Sequence, residues 1–116
     1  MAAQMEISHR EIENGVAVIK ISGRIMLGAE SAKIDALVAE LLAAGKKKIV
    51  FDLSGVTHMD STGIGRFISS LNKVMQSGGK MRMAAARPIV REGFRVTRLD
   101  TVFEFFDEVE TAVQGI

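Results

Sequence analysis

The chain has no cysteine, no tryptophan, no tyrosine and one proline. Without cysteine it can form no disulfide, no thiolate metal site and no cysteine nucleophile. The only histidines, His9 and His58, have no metal-ligand spacing, so neither a metal centre nor any cofactor is expected. The aromatic residues, 5% of the chain and all phenylalanine, offer no stacking platform for nucleic acid. Charge of one sign is missing as well. Fifteen Lys and Arg against fourteen Asp and Glu leave a net charge of +1, a field that favours neither polyanions nor an anionic membrane surface. No apolar run approaches the roughly 18 residues of a membrane span, and Met1 to Glu6 is not a basic region leading into an apolar one. A soluble, cytoplasmic protein is expected, with neither nucleic acid nor membrane as a partner.

What is present suits one domain over residues 1–116. The hydrophobic content of 47% is enough for a core, and a chain of this length buries about two thirds of its unfolded surface on folding. No repeat, linker or low-complexity segment interrupts it.

The order of elements follows from patterning. Gln4–Ser8 alternates, Glu13–Gly15 reads as a turn and Val16–Ile21 as a second strand, together an N-terminal β-hairpin. After a loop over Ser22–Gly28, Ile34, Leu37, Val38, Leu41 and Leu42 mark a helix ending at Gly45, and Lys46, Lys47 and Lys48 suit the negative end of its dipole. Ile49–Leu53 is a buried strand that leaves the sheet at Ser54 and Gly55. Ile64, Phe67, Ile68, Leu71, Val74 and Met75 then form the buried stripe of a helix, with Arg66, Ser69, Ser70, Asn72, Lys73 and Gln76 opposite, and Gly78 and Gly79 stop it. A strand over Lys80–Ala86, a helix opening at Pro88, a strand over Val102–Phe106 and a last helix capped by Asp107 and running through Val113 complete the chain. Alternation of strand and helix implies an α/β fold: a mostly parallel or mixed β-sheet of four or five strands with alternating helices.

The segment between the central strand and the long helix carries the chemistry. Asp60 is a good N-cap, Ser61 falls in the first helical turn with its hydroxyl exposed, and Gly63 and Gly65 let another surface approach the backbone. Asp52, toward the strand end, and Asp60 can satisfy loop N–H groups or position the hydroxyl for attack on a phosphoryl donor held by another protein. Val56 and Met59 could rim a partner surface, whereas Ile64 belongs to the core stripe.

Enzyme motifs fail at named positions. A serine hydrolase elbow needs glycine where Met59 stands, and His58 reaches Ser61 only if the loop folds back. The phosphate loop fails at Val74 and Met81, and the dinucleotide fingerprint at Ile68. Arg87, Arg91, Arg95 and Arg98 would share one helical face, either as a solvated surface beside Glu92 and Asp100 or as a site for an acidic partner.

The run Ile49-Val50-Phe51-Asp52-Leu53, followed by Met59-Asp60-Ser61-Thr62-Gly63-Ile64-Gly65, resembles the anti-sigma factor antagonists of the bacterial STAS domain family. Gly23-Arg24-Ile25, Gly78-Gly79 before Lys80–Ala86, and Val102–Val113 also fall where that family has counterparts. The resemblance implies a STAS-like domain and a regulator of transcription that is not an enzyme. It implies that Ser61 is phosphorylated by an anti-sigma factor serine/threonine kinase and dephosphorylated by a separate protein phosphatase. The partner surface it implies is Arg24, Asp52, Met59, Asp60, Ser61, Thr62, Gly63 and Ile64. Arg24 and Met26-Leu27 stand where members commonly have an acidic residue, and His58 where they have an apolar or aromatic one, both on the rim a partner would touch. A constitutive STAS subunit of a signalling or transport assembly is the alternative, and a small hydrolase using Ser61 and His58 a third reading.

Overall fold

In the computed structural model, which describes residues 4–116, the elements are β1 (Met5–Ile12), β2 (Val16–Ile25), α1 (Ala32–Ala43), β3 (Lys48–Met59), α2 (Ser61–Gln76), β4 (Lys80–Ala84), α3 (Pro88–Val96), β5 (Phe105–Phe106) and α4 (Val109–Ala112). The sheet has five strands in the order β1-β2-β3-β4-β5. β1 is antiparallel to β2 across a 3-10 turn at Glu13–Gly15, and the remaining pairs are parallel. The expected mixed α/β sheet with an N-terminal hairpin is therefore the fold. Among the described residues no helix is long and apolar enough to cross a membrane.

Strand periodicity divides the core into two layers. Ile19, Ile21, Phe51, Leu53 and Met83 point from the sheet toward α1, α2 and α3, where Ile34, Val38, Phe67, Val74 and Phe94 meet them. Phe51 and Phe67 stack edge to face at 5.1 Å, and Phe94 continues the cluster to Phe103 and Phe105, each at 5.2 Å. The opposite face, Val16, Val18, Val50 and Ala84, is covered by the C-terminal segment, where Val109, Ala112, Val113 and Ile116 pack on it.

Several boundaries differ from the sequence expectation. β2 runs on through Ile25 and β3 through Met59, so Ser22–Ile25 is strand and Ser54–Gly55 does not end β3. The two strands stay paired to Ile25↔Met59, with register shifts at Lys20/Ser22 and Gly23/Arg24. Ser54 and Gly55 mark an irregularity in pairing, because an absent Cβ at Gly55 lets Ser22 approach. β4 ends at Ala84, and β5 keeps only Phe105–Phe106. Val102 and Phe103 instead form a turn on Leu99 whose reward is burial of Phe103 against Phe94. Glu108 and not Asp107 precedes α4, which ends at Ala112.

The stripe on α2 is narrower than its apolar residues suggest. Ile64, Phe67 and Val74 are buried and Leu71 is half-buried, but Met75 is 65% exposed and Ile68 lies at the rim. Ser70 is fully buried because its hydroxyl donates to Arg66 O at 2.8 Å, which satisfies it without water. Arg66 and Lys73 turn toward α1, where both pair with Asp35, and Ser69 donates to the same carboxylate.

Candidate functional site

The extended pairing of β2 and β3 carries the chain to the start of α2. Asp60 N donates to Ile25 O at 3.1 Å, the last rung before the helix turns away. Asp60 itself is extended, with φ −101° and ψ −174°, as an N-cap must be. One of its carboxylate oxygens, Oδ1, accepts from Gly63 N at 3.0 Å, so the expected cap is formed. The other, Oδ2, accepts from Leu27 N, also at 3.0 Å, and ties the β2–α1 loop to the helix start. Burial by itself would raise the Asp60 carboxyl, but N–H donors led by Gly63 and Leu27 outweigh it and hold the group below its ordinary value. Asp60 is thus a fixed anion.

Ser61 follows at the first helical position, exposed, and among the described residues nothing hydrogen-bonds its hydroxyl. Thr62 beside it is half-buried. Gly63 is buried, and a Cβ there would stand 2.6 Å from Met59 Cγ and 2.9 Å from Ile25 Cγ2. The close approach it permits is therefore internal, between α2 and the strand ends. At Gly65, which is exposed, a Cβ would meet nothing within 4 Å, so the open backbone lies there. Ile64 is buried, as its place in the stripe predicts.

Asp52 lies within β3, on the sheet face opposite Phe51, and not at the strand end. It is buried, accepts from Ser54 N at 3.0 Å, and among the described residues has no contact with Ser61 through hydrogen bond or ion pair. Arg24 is exposed and pairs in register with His58, also exposed, on the last turn of pairing before Asp60. His58 stands on β3 with Nδ1 3.1 Å from Thr57 Oγ1, so the chain does not fold back to bring it to Ser61. Val56 is fully buried and Met59 half-buried, which leaves Met59 alone of the two at the rim.

The arginine series does not form one face. Arg87 precedes α3 and donates to Ser54 O at 2.9 Å, Arg91 lies over Phe105 at 4.5 Å, and Arg95 pairs with Glu92. Arg98 is beyond the helix in the left-handed region at φ 61°. The guanidiniums of Arg87, Arg91 and Arg95 each have a separate local role.

Two features of the site escaped the sequence. Leu27, 79% exposed, borders the helix start because its own N–H is held by Asp60 33 residues away, a contact that no local pattern announces. On α3, Gly93 packs against the end of Met59, and the flanking Ile89 and Val96 are exposed at 59% and 65%. Only the packing of Gly93 on Met59 brings α3 to the strand end that precedes the helix start. Among the described residues no group of three or more His, Cys, Asp or Glu could hold a metal ion.

Comparison with known proteins agrees with this geometry. The STAS domain family model matches residues 9–112. The anti-sigma-F factor antagonist RsfB of Mycobacterium tuberculosis is 30% identical over 103 residues, which cover 89% of this chain and 83% of that protein. An anti-sigma factor antagonist from Mycobacterium paratuberculosis has the same fold with a TM-score of 0.82 at 22% identity, over 97% of this chain and 93% of that one. SpoIIAA in its unphosphorylated form superposes with a TM-score of 0.77 at 20% identity, over 96% and 98% of the two chains. Its phosphorylated form does so with a TM-score of 0.70 at 18% identity, over 91% and 96%. By the family match over most of its length and the 30% identity to RsfB, the chain belongs to the STAS domain family, among relatives that are anti-sigma factor antagonists.

Proposed function

We propose that this protein is an anti-sigma factor antagonist that works by partner switching at Ser61, binding an anti-sigma factor serine kinase when Ser61 is unphosphorylated and releasing it when phosphorylated. The observation that carries the reading is the exposed Ser61 hydroxyl, without a hydrogen-bond partner among the described residues and presented beside the doubly held Asp60 carboxylate. A kinase acceptor needs an accessible hydroxyl in a fixed place, and the protein holding the nucleotide supplies the rest. A separate protein phosphatase resets the switch. Residues 1–116 act as one domain in this reading, with no catalytic step of their own.

Phosphorylation acts through charge. Phosphoserine adds roughly −1.5 to −2 charges at pH 7, and the helix N-terminus favours such a charge by about 0.3 to 2 kcal/mol, so the fold tolerates it. A partner packed over Arg24, Met59, Asp60, Ser61 and Thr62 meets instead a desolvated dianion next to a carboxylate. A loss of about 2.7 kcal/mol there weakens binding roughly a hundredfold. Gly63 and Ile64 support this surface from beneath by seating α2 on Met59 and Ile25, whereas Asp52, on the far face of the sheet, accepts from Ser54 N within β3.

The test is affinity capture from lysate of the source cells with wild type, Ser61→Ala and Ser61→Asp, together with mass spectrometry of Ser61 in the wild-type protein. Capture of a kinase-type ATPase by wild type and Ser61→Ala but not Ser61→Asp, with phosphate at Ser61, is expected. Identical partners for all three forms and no phosphate at Ser61 would instead mark a constitutive STAS subunit.

A further inference from the structure

Among the described residues the sheet has two edges, the two-residue β5 and the eight-residue β1, and the side chains of β1 are complementary to themselves. β1 pairs with β2 over Met5–Ile12 without a register shift, and it contains neither proline nor a bulge, two of the devices that blunt an edge strand. Arg24 N donates to Gln4 O, so the even-numbered residues of β1 direct their backbone groups to β2. The N–H and C=O groups of Met5, Ile7, His9 and Glu11 therefore face outward, and among the described residues no strand lies beside them.

Glu6, Ser8 and Arg10 lie on the sheet face away from α1, all exposed, and among the described residues neither Glu6 nor Arg10 makes an ion pair. If a second β1 runs antiparallel about a two-fold axis at Ser8, Glu6 of each copy stands opposite Arg10 of the other. These are positions of the non-hydrogen-bonded kind, with Cα atoms about 4.5 Å apart, where side chains interact most closely. In the same register the outward groups of Ile7 meet those of His9, and those of Met5 meet those of Glu11. A slip of two residues in one direction sets Glu6 opposite Ile12 and Ser8 opposite Arg10; a slip in the other sets Glu6 opposite Ser8. Only one register matches both charges and backbone.

We propose that this protein associates with a second copy of itself through antiparallel pairing of β1 about Ser8, with reciprocal Glu6–Arg10 contacts selecting the register. The groove of about 290 Å³ between β1 and α1, whose walls include half-buried Ile7 and Leu37, adjoins this edge, so the second copy also covers apolar surface there. The two-fold axis reverses the strand direction, which sends the two Ser61 ends to opposite ends of the joined sheet. Both remain open to their own partners, and the inference does not depend on what those partners are.

The test is analytical ultracentrifugation of the full chain, from micromolar to about 1 mM, at low and high salt. Wild type is expected to dimerise, and more weakly at high salt. Glu6→Arg or Arg10→Glu alone places like charges opposite each other twice and is expected to raise the dimer dissociation constant at least tenfold. The double variant Glu6→Arg/Arg10→Glu restores association, and an equimolar mixture of the two single variants forms a heterodimer, which a folding defect could not produce. Circular dichroism of each variant should match wild type. A wild-type monomer at every concentration, a dimer indifferent to both reversals, or single variants that fail to associate when mixed would each overturn the proposal.

Discussion

The carboxylate of Asp60 accepts one hydrogen bond from Gly63 N in its own helix and another from Leu27 N, 33 residues earlier, both at 3.0 Å. One side chain thus caps α2 and docks the loop after β2, so the surface on either side of Ser61 is held by the residue that precedes it.

Removing that carboxylate should loosen both. Asp60→Ala is expected to cost about 1 to 2 kcal/mol from the cap alone, with a further loss from the loop tie. Urea unfolding measures the total. Hydrogen exchange should show faster exchange at the Leu27 and Gly63 amides, and unchanged protection at those two would show that the carboxylate does not hold them.

The same contact gives the fold an acid dependence. Because the folded Asp60 carboxyl lies below its ordinary value of 3.8, its contribution is fully present above that pH. It is lost as pH falls through the depressed folded value. The stability gap between wild type and Asp60→Asn should therefore be widest near neutrality and close below pH 3.8. Thermal unfolding from pH 7 downward measures it; a gap that widened in acid would contradict the sign.

Two glycines of α2 should respond in opposite directions. Gly63→Ala drives a methyl to within 2.6 Å of Met59 Cγ and 2.9 Å of Ile25 O, and is expected to destabilise by about 1 to 3 kcal/mol. Gly65→Ala meets nothing and should stabilise by up to about 1 kcal/mol through helix propensity. Denaturant midpoints of the two variants provide the comparison.

Charge at Ser61 should leave the fold intact. The helix N-terminus favours Ser61→Asp while neighbouring Asp60 opposes it, so stability should stay within about 1 kcal/mol of wild type. If the variant unfolded, loss of partner capture could no longer be attributed to the surface.

The sequence alone was enough to identify the mixed sheet, the hairpin, the cap at Asp60 and the exposure of Ser61. These are local: strand alternation, helical spacing and capping preference each act over a few residues. Where the reading stopped short, the competing influence was distant. Ser54-Gly55 looks like a strand end, yet β3 continues because β2 remains alongside as its pairing partner. Ile68 and Met75 look like core, yet α2 turns Ile64, Phe67 and Val74 to the sheet and leaves those two exposed, while buried Ser70 is made tolerable by one hydrogen bond. The four arginines share a spacing, but α3 ends at Val96, and Ser54, Phe105 and Glu92 engage three of them separately.

By itself, then, the order of residues determined the succession of strands and helices and which serine begins the long helix. The tertiary structure decided what surrounds that serine: Leu27 brought in from the preceding loop, Gly63 turned inward on Met59, Gly93 of α3 set against the same methionine, and Asp52 kept on the far face. The reason is physical. Helix and strand preferences are settled by neighbours along the chain, whereas the composition of a surface depends on which unpaired N–H groups and apolar side chains find partners across the sheet.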